Sequence, residues 1–194
     1  MRIRNSEFGI RNTGDELPKL LLHCCCAPCA SYVLEYLSPN FIIGVLFYNG
    51  NIKPVEEHDK REAELKRLVS LVGYPNSVCI AEHEYSPGVF EEGFAPFWDE
   101  PEGGRRCGVC FKLRLEETAR LAKAGGYDYF TTTLSVSPHK DAELLNEIGL
   151  GLADSYGVSF LVSDFKKRDG FKRSVELSKQ YGIYRQSYCG CKKV

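Results

Sequence analysis

Apolar residues along the chain fall in five short runs, parted by longer stretches where they recur every three or four positions. The runs are KLLLHC (19–24), FIIGVLFY (41–48), NSVCIAEH (76–83), YDYFTTTL (127–134) and VSFLVSD (158–164). Near-continuous apolar runs of this length predict strands buried on both faces. The stretches between them predict amphipathic helices. Pro28 suits the first position of a helix over ASYVLEYL and should hold Ala27 extended, because its ring crowds the residue before it. Further helices are expected over about 55–72, about 108–123, from SVSPHK to about 154, and over about 171–181. Residues 84–104 hold three prolines and four glycines and read as a long irregular insertion that covers another part of the molecule.

Strands alternating with helices predict an α/β fold, a doubly wound and mostly parallel sheet of the Rossmann-like or HUP-like kind. In such sheets ligands sit beyond the carboxyl ends of the strands. HCCCAPC follows the first strand, NGNIKP the second, TTTLSVSPHK closes the fourth and DFKKRDG follows the fifth. The metal site is therefore expected at that end.

The 194 residues suit a single α/β domain over 19–194, with residues 1–18 as a flexible leader outside it. No apolar run approaches the roughly 20 residues of a membrane span. The polar leader also lacks the apolar stretch of a secretory signal. Nine cysteines without such a signal point to the reducing cytoplasm, where clustered cysteines serve metal binding or catalysis. Cys79, alone in an apolar stretch, reads as a core residue. The net charge of −1 hides an asymmetry: residues 166–194 carry nine Lys or Arg against Asp169 and Glu176. Such a basic end suggests a local polyanion site.

The cysteines come in groups. Neighbours in a strand point to opposite faces, so Cys25 and Cys26 can meet on one ligand only if the chain turns beside them, and Pro28 favours such a turn. Cys107 and Cys110, three apart at a helix start, share one side. Together they offer four thiolates, enough for zinc or a [4Fe–4S] cluster, and a metal-free thiol site stays open. One pair is CC rather than CxxC, no histidine joins either pair, and the sheet has a core of its own, which favours iron–sulfur. Arg105 and Arg106 would balance the charge of such a cluster, or simply face solvent. Cys189-Gly-Cys191 can close only a small strained ring, and labile rings of this kind suit redox chemistry, with metal ligation or an idle tail as the other readings. Cys29, in the first helical turn, should have its thiol pKa lowered by the helix amides and could bind a second metal or act in redox chemistry. Cys24 reads as packing.

HxCCAPC (His23 to Cys29), YNxNIxP (Tyr48 to Pro54), RCxxC (Arg106 to Cys110), FTTTLxxSPxK (Phe130 to Lys140) and YRQxYCGC (Tyr184 to Cys191) together resemble epoxyqueuosine reductases of the QueH type, from about residue 19 to the C-terminus. One departure is Gly50, in an Asn-Gly-Asn where Asn-Pro-Asn is more usual. The resemblance implies reduction of the epoxide of epoxyqueuosine to the alkene of queuosine at the tRNA wobble position, the last step of queuosine synthesis. It implies a [4Fe–4S] cluster on Cys25, Cys26, Cys107 and Cys110, and a redox-active disulfide between Cys189 and Cys191. Two electrons and two protons are needed: a cluster passes electrons singly, while a CxC dithiol stores a pair. A second metal ion, iron, is a further expectation, with Cys29 and Asp164 as conceivable ligands and a Lewis-acid role. Tyr188, His139 or His23 could donate a proton, although His23 at a strand end also suits a structural place.

The implied partners are tRNA carrying epoxyqueuosine and an external electron donor, with no membrane. Phosphates would meet Lys166, Lys167, Arg168, Lys172, Arg173 and Arg185, unless these only solvate a face. A splayed base could stack on Tyr48, Phe94, Phe97 or Trp98, each of which also suits the core. Tyr48, Asn49, Asn51, Thr132, Thr133, Ser137 and Lys140 could line the pocket, the threonines being equally good strand-end residues. Two rivals stand beside this reading. An iron–sulfur tRNA thiolase needs a nucleotide loop after the first strand, where this chain has HCCCAPC, and neither GxxxxGK[ST] nor GxGxxG occurs. A zinc-stabilised, non-catalytic RNA-binding module predicts zinc and a colourless protein.

Overall fold

Leu20 and Leu22 face one hydrophobic core while Leu21, between them, faces a second. That alternation, buried on both sides, is what a strand inside a two-faced sheet requires. The computed structural model describes residues 16–191, so residues 1–15 of the expected leader and Lys192 and Lys193 of the basic end lie outside the described residues. Within them run β1 (Lys19–His23), α1 (Ala27–Leu37), β2 (Ile42–Leu46), α2 (Val55–Leu71), β3 (Val78–Ala81), α3 (Pro87–Phe94), α4 (Arg105–Ala124), β4 (Tyr129–Thr132), α5 (Ala142–Tyr156), β5 (Ser159–Phe160) and α6 (Gly170–Gln180).

All strand pairs are parallel, in the order β3-β2-β1-β4-β5. One core joins Ile43 and Val45 of the sheet to Leu34 and Leu37 of α1 and Leu65 and Leu68 of α2. The other joins Leu46 and Phe130 to Phe111 and Leu115 of α4 and Leu145 and Leu152 of α5. The sheet is thus wound on both faces. The chain order reverses at the β1–β4 pair, which leaves a crevice beyond their carboxyl ends.

Local chemistry explains where several elements begin. The Asp141 carboxylate caps α5, accepting from the amides of Glu143 at 2.9 Å and Leu144 at 3.1 Å. Gly170 opens α6 because nothing larger fits: an added Cβ would stand 1.8 Å from the Phe165 carbonyl oxygen and 2.5 Å from the Tyr32 ring of α1. The close approach lets α6 lie flat on α1.

Four expectations need correction. Residues 84–104 are not wholly irregular: α3 forms there because Phe90 and Phe94 bury four residues apart, followed by a short 3-10 turn over Ala95–Phe97. The fifth strand is cut to Ser159–Phe160; the Leu161 amide still bonds the Phe130 carbonyl at 2.9 Å before the chain leaves the sheet. Helix α1 starts at Ala27, and the extended residue is its N-cap, Cys26. Cys79 is exposed, not core, because β3 is an edge strand incompletely covered by helices. Among the described residues no helix is long and apolar enough to cross a membrane.

Candidate active site

The turn expected beside Cys25 and Cys26 is present. The chain bends as β1 ends, Cys26 takes an extended backbone as N-cap, and α1 begins with Ala27-Pro28-Cys29. This brings the sulfurs of Cys25 and Cys26 to 3.7 Å. Cys29, one helical turn on, joins them, and the three sulfurs lie within 4.8 Å of one another, close enough to hold a metal ion together. Cys24 points into the opposite core and packs there, as expected.

Thr133 and Asn49 fix this turn. The Thr133 hydroxyl accepts from the Cys25 amide at 3.2 Å, and the Asn49 amide donates to the Cys24 carbonyl at 2.9 Å. His23 is structural. Burial, helped by the Arg114 charge, lowers its pKa to about 3, so the ring is neutral. Its Nε2 donates to the Tyr48 carbonyl at 3.2 Å while Nδ1 accepts from the Thr132 hydroxyl at 2.9 Å.

Electrostatics sorts the three thiols. Cys25 is held well below the ordinary value because the Cys26 and Cys29 thiols donate to it, with Arg114 assisting against burial. Cys26 is pushed up to about 12, chiefly by its bond to Cys25. Cys29 is also raised, by the same bonds and by burial. The expectation of a lowered Cys29 thiol is thus reversed: the site supports one anion easily, and Cys25 carries it.

Cys189 and Cys191 are free thiols here, and the second donates a hydrogen bond to the first. That bond, with the cations Lys140 and Arg114 working against burial, lowers Cys189 to about 5 and raises Cys191. Lys140 Nζ lies 3.7 Å from the Cys189 sulfur and donates to Glu102 at 2.7 Å. Arg61 anchors the segment. Its Nε donates to Glu57 at 2.7 Å, and its two terminal nitrogens donate to the carbonyls of Cys189 at 3.1 Å and Tyr188 at 3.4 Å. Gly190 sits at a φ of +95°, a conformation that favours glycine, and its carbonyl accepts from Lys53 at 3.0 Å.

A cleft of about 380 Å³ opens beyond the carboxyl ends of the strands, and Cys25, Cys26, Cys29 and Cys189 all line it. A narrow cavity beside it is lined by Cys107, Cys110, Cys189 and Cys191. Arg114, Leu134, Lys140 and Cys189 border both. Arg114 is the main residue that sequence reasoning missed. It is 3% exposed, donates to Asn51 Oδ1, and faces Cys25, Cys110, Cys189 and Cys191 electrostatically. The signal lay in its position: Arg114 stands four residues after Cys110 and so on the same helix face.

Of the residues expected to bind substrate, Ser137, Lys140 and Arg185 line the cleft. Tyr48, Asn49, Asn51, Thr132 and Thr133 are buried beneath it and do not line it. Tyr48 packs its ring on Phe90, and Phe94 packs edge-on to Trp98. None of the expected stacking aromatics reaches the cleft; Phe171 and Tyr188 do. Lys166 and Lys167 pair with Asp164 at 3.2 and 3.6 Å. Arg173 pairs with Glu35 and Glu176, while Arg168 stands at a φ of +55° just before α6. Arg105 turns to Glu100 at 2.5 Å, whereas Arg106 borders the narrow cavity and donates to the Trp98 carbonyl at 2.6 Å. His139 lies at the cleft's exposed edge.

Comparison with known proteins agrees with this arrangement. A family model described as "Epoxyqueuosine reductase QueH" matches residues 20–193. The Epoxyqueuosine reductase QueH of Streptococcus pyogenes serotype M1 is 43% identical over 176 residues, covering 90% of this chain and 69% of its own. That of Staphylococcus epidermidis is 43% identical over 183 residues, covering 91% of this chain and 76% of its own. That of Thermotoga maritima is 35% identical over 176 residues, covering 89% and 88%. With its sulfurs gathered at one end of the sheet and its length matched almost throughout, the chain belongs to the QueH family of epoxyqueuosine reductases.

Proposed function

We propose that this protein reduces the epoxide of epoxyqueuosine in tRNA to the alkene of queuosine, the last step of queuosine biosynthesis. The carrying observation is that Cys25, Cys26 and Cys29 line one cleft with Cys189, whose partner Cys191 lines the narrow cavity adjoining it. Removing the epoxide oxygen breaks two C–O bonds, forms one C=C bond and releases water, at a cost of two electrons and two protons. A dithiol closing to a disulfide gives up two electrons; with Cys189 already the thiolate it releases one proton, that of Cys191, and solvent supplies the second. Cys189 and Cys191 therefore match the electron count, and an external electron donor restores them.

The residues fit a [4Fe–4S] cluster on Cys25, Cys26, Cys107 and Cys110. All four belong to the walls of the cleft or of the adjoining narrow cavity, and the buried Arg114 faces Cys25 and Cys110 from the wall these cavities share. A fixed cation beside four thiolates offsets their mutual repulsion. Cys29 would be left for a second ion, iron, with Cys25 and Cys26 beside it. When bound, such a centre supplies single-electron transfer and Lewis acidity.

The chain's own groups do the rest. Lys140 and Arg114 hold Cys189 as the anion, ready to form the S–S bond. Arg61 keeps the CGC backbone against α2, with Cys189 at the cleft and Cys191 in the adjoining narrow cavity. The cations of the cleft suit a substrate that carries phosphates.

Anaerobic purification with metal analysis, visible spectroscopy and a turnover assay on epoxyqueuosine tRNA tests this reading. About four irons per chain or more, broad absorbance near 400 nm and conversion to queuosine are expected. Stoichiometric zinc in a colourless, inactive protein overturns it in favour of the binding module.

A further inference from the structure

Large aromatic side chains usually bury, so an exposed one beside a functional cleft calls for a reason. Phe171 and Tyr188 are each 41% exposed, and both line the 380 Å³ cleft. Each has an arginine against its ring: Arg185 stands 5.8 Å from the centroid of Phe171, and Arg61 stands 5.0 Å from that of Tyr188. Neither arginine is loose. Arg185 donates to the Ser174 carbonyl at 3.3 Å and to the Ser178 hydroxyl at 3.1 Å, while Arg61 is tied to Glu57. The two rings are thus backed by fixed cations and still offer surface to the cleft.

Flat, cation-backed rings at the edge of a basic cleft fit unpaired nucleobases, since every base has a π-face and every nucleotide a phosphate. The cleft encloses one nucleoside and is too small for a helical stem, so a neighbouring base would lie at its open rim. Position divides the two rings. Tyr188 immediately precedes Cys189, so a base lying on it has its substituent beside the sulfurs. Phe171 lies at the start of α6, just after the Lys166-Lys167-Arg168 segment.

Resting on the function proposed above, we propose that Tyr188 and Phe171 are two stacking platforms of the RNA site: Tyr188 takes the reacting base and Phe171 the neighbouring unpaired base of the anticodon loop. The stack fixes which end of the modified base faces the sulfurs, and the second platform separates the reacting base from its neighbour. An aliphatic side chain of similar bulk fills the same space but offers no π-face, which makes leucine the informative replacement.

The test measures binding of a fluorescein-labelled anticodon stem-loop carrying queuosine, by anisotropy, to the metal-loaded protein and its variants. Phe171→Leu and Tyr188→Leu should each weaken binding about tenfold, and Phe171→Trp and Tyr188→Trp should retain it, because one base stack is worth that much. Turnover of epoxyqueuosine tRNA splits the two roles. Phe171→Leu should raise KM with kcat unchanged, while Tyr188→Leu should raise KM and lower kcat. Thermal midpoints equal to that of the parent exclude unfolding. Leucine variants that bind within twofold of a parent that converts the tRNA overturn the stacking site alone. A parent that binds the stem-loop through these rings but converts nothing overturns the proposed reaction instead.

Discussion

The two sulfur groups, one lining the cleft and the other shared between the cleft and the narrow cavity beside it, are held in opposite ways. Cys25, Cys26 and Cys29 are set by regular structure: the end of a central strand, a capped turn and the first turn of α1. Cys189 and Cys191 belong to no helix or strand, and their backbone is held by the Arg61 side chain and one amide from the loop before α2. The first group has its spacing fixed by backbone geometry. The second hangs on a side-chain clasp, which suits the proposed redox pair, since closing and opening an S–S bond would change its shape. The two proposed roles, metal ligand and dithiol, ask different things of the backbone.

The sharpest way to break this comparison is at the sulfurs. Cys189→Ala should abolish turnover on epoxyqueuosine tRNA while leaving bound iron unchanged by metal analysis. Cys26→Ala should do the reverse of that separation, losing iron together with activity. Retained turnover in Cys189→Ala would remove the dithiol from the reaction.

The clasp comes next. Arg61→Ala leaves the largely buried Glu57 with the Tyr184 hydroxyl but no cation, and the loss should come near the low end of what breaking a buried pair costs, about 3 kcal/mol, readable by urea denaturation. The same pair gives a pH dependence. Burial would raise the Glu57 carboxyl, but the Arg61 and Tyr184 bonds win and hold it below its ordinary 4.5. A lowered carboxylate contributes stability above that ordinary value and loses it as pH falls through the folded-state value. Stability in the parent should therefore drop below pH 4.5 more steeply than in a Glu57→Gln variant.

A smaller effect is expected at the turn between the two thiols. Gly190→Ala forces a Cβ into the left-handed region, about 1–2 kcal/mol, and crowds Arg61 from 3.3 Å. The smallest effect is one of reactivity. Iodoacetamide should label Cys189 before Cys191 in the reduced protein, with a rate that falls as pH drops through about 5. Lys140→Met should move that midpoint upward, because it removes a cation 3.7 Å from the sulfur.

Most of the sheet was legible because parallel strands buried on both faces leave unbroken apolar runs such as KLLLHC and FIIGVLFY. Where burial and strand part company, the reading failed. VSFLVSD stays apolar after β5 ends, because Leu161 packs in the core without extending the ladder. Helix α3 was hidden by Pro87, Gly88 and Gly93, which lower helix propensity while Phe90 and Phe94 still anchor it. The turn that joins Cys25 to Cys26 was legible from Pro28, yet the meeting of Cys29 with them and the order of the three acidities were not, because both depend on how the helix start packs and which thiol donates to which. Tyr48 and Phe94 were expected to face the substrate, whereas the aromatics that line the cleft are Phe171 and Tyr188. Sequence gives an aromatic the same letter in a core and on a rim, and only the packing around α3 and α6 tells them apart.

The missing side chain at Gly170 reaches further than its own turn. With the Phe165 carbonyl and the Tyr32 ring so close, α6 has no slack against α1. The helix whose first turn carries Cys29 and the one that starts beside the basic loop are therefore closely coupled. Any load the proposed RNA substrate put on that loop would pass directly to the helix that carries Cys29.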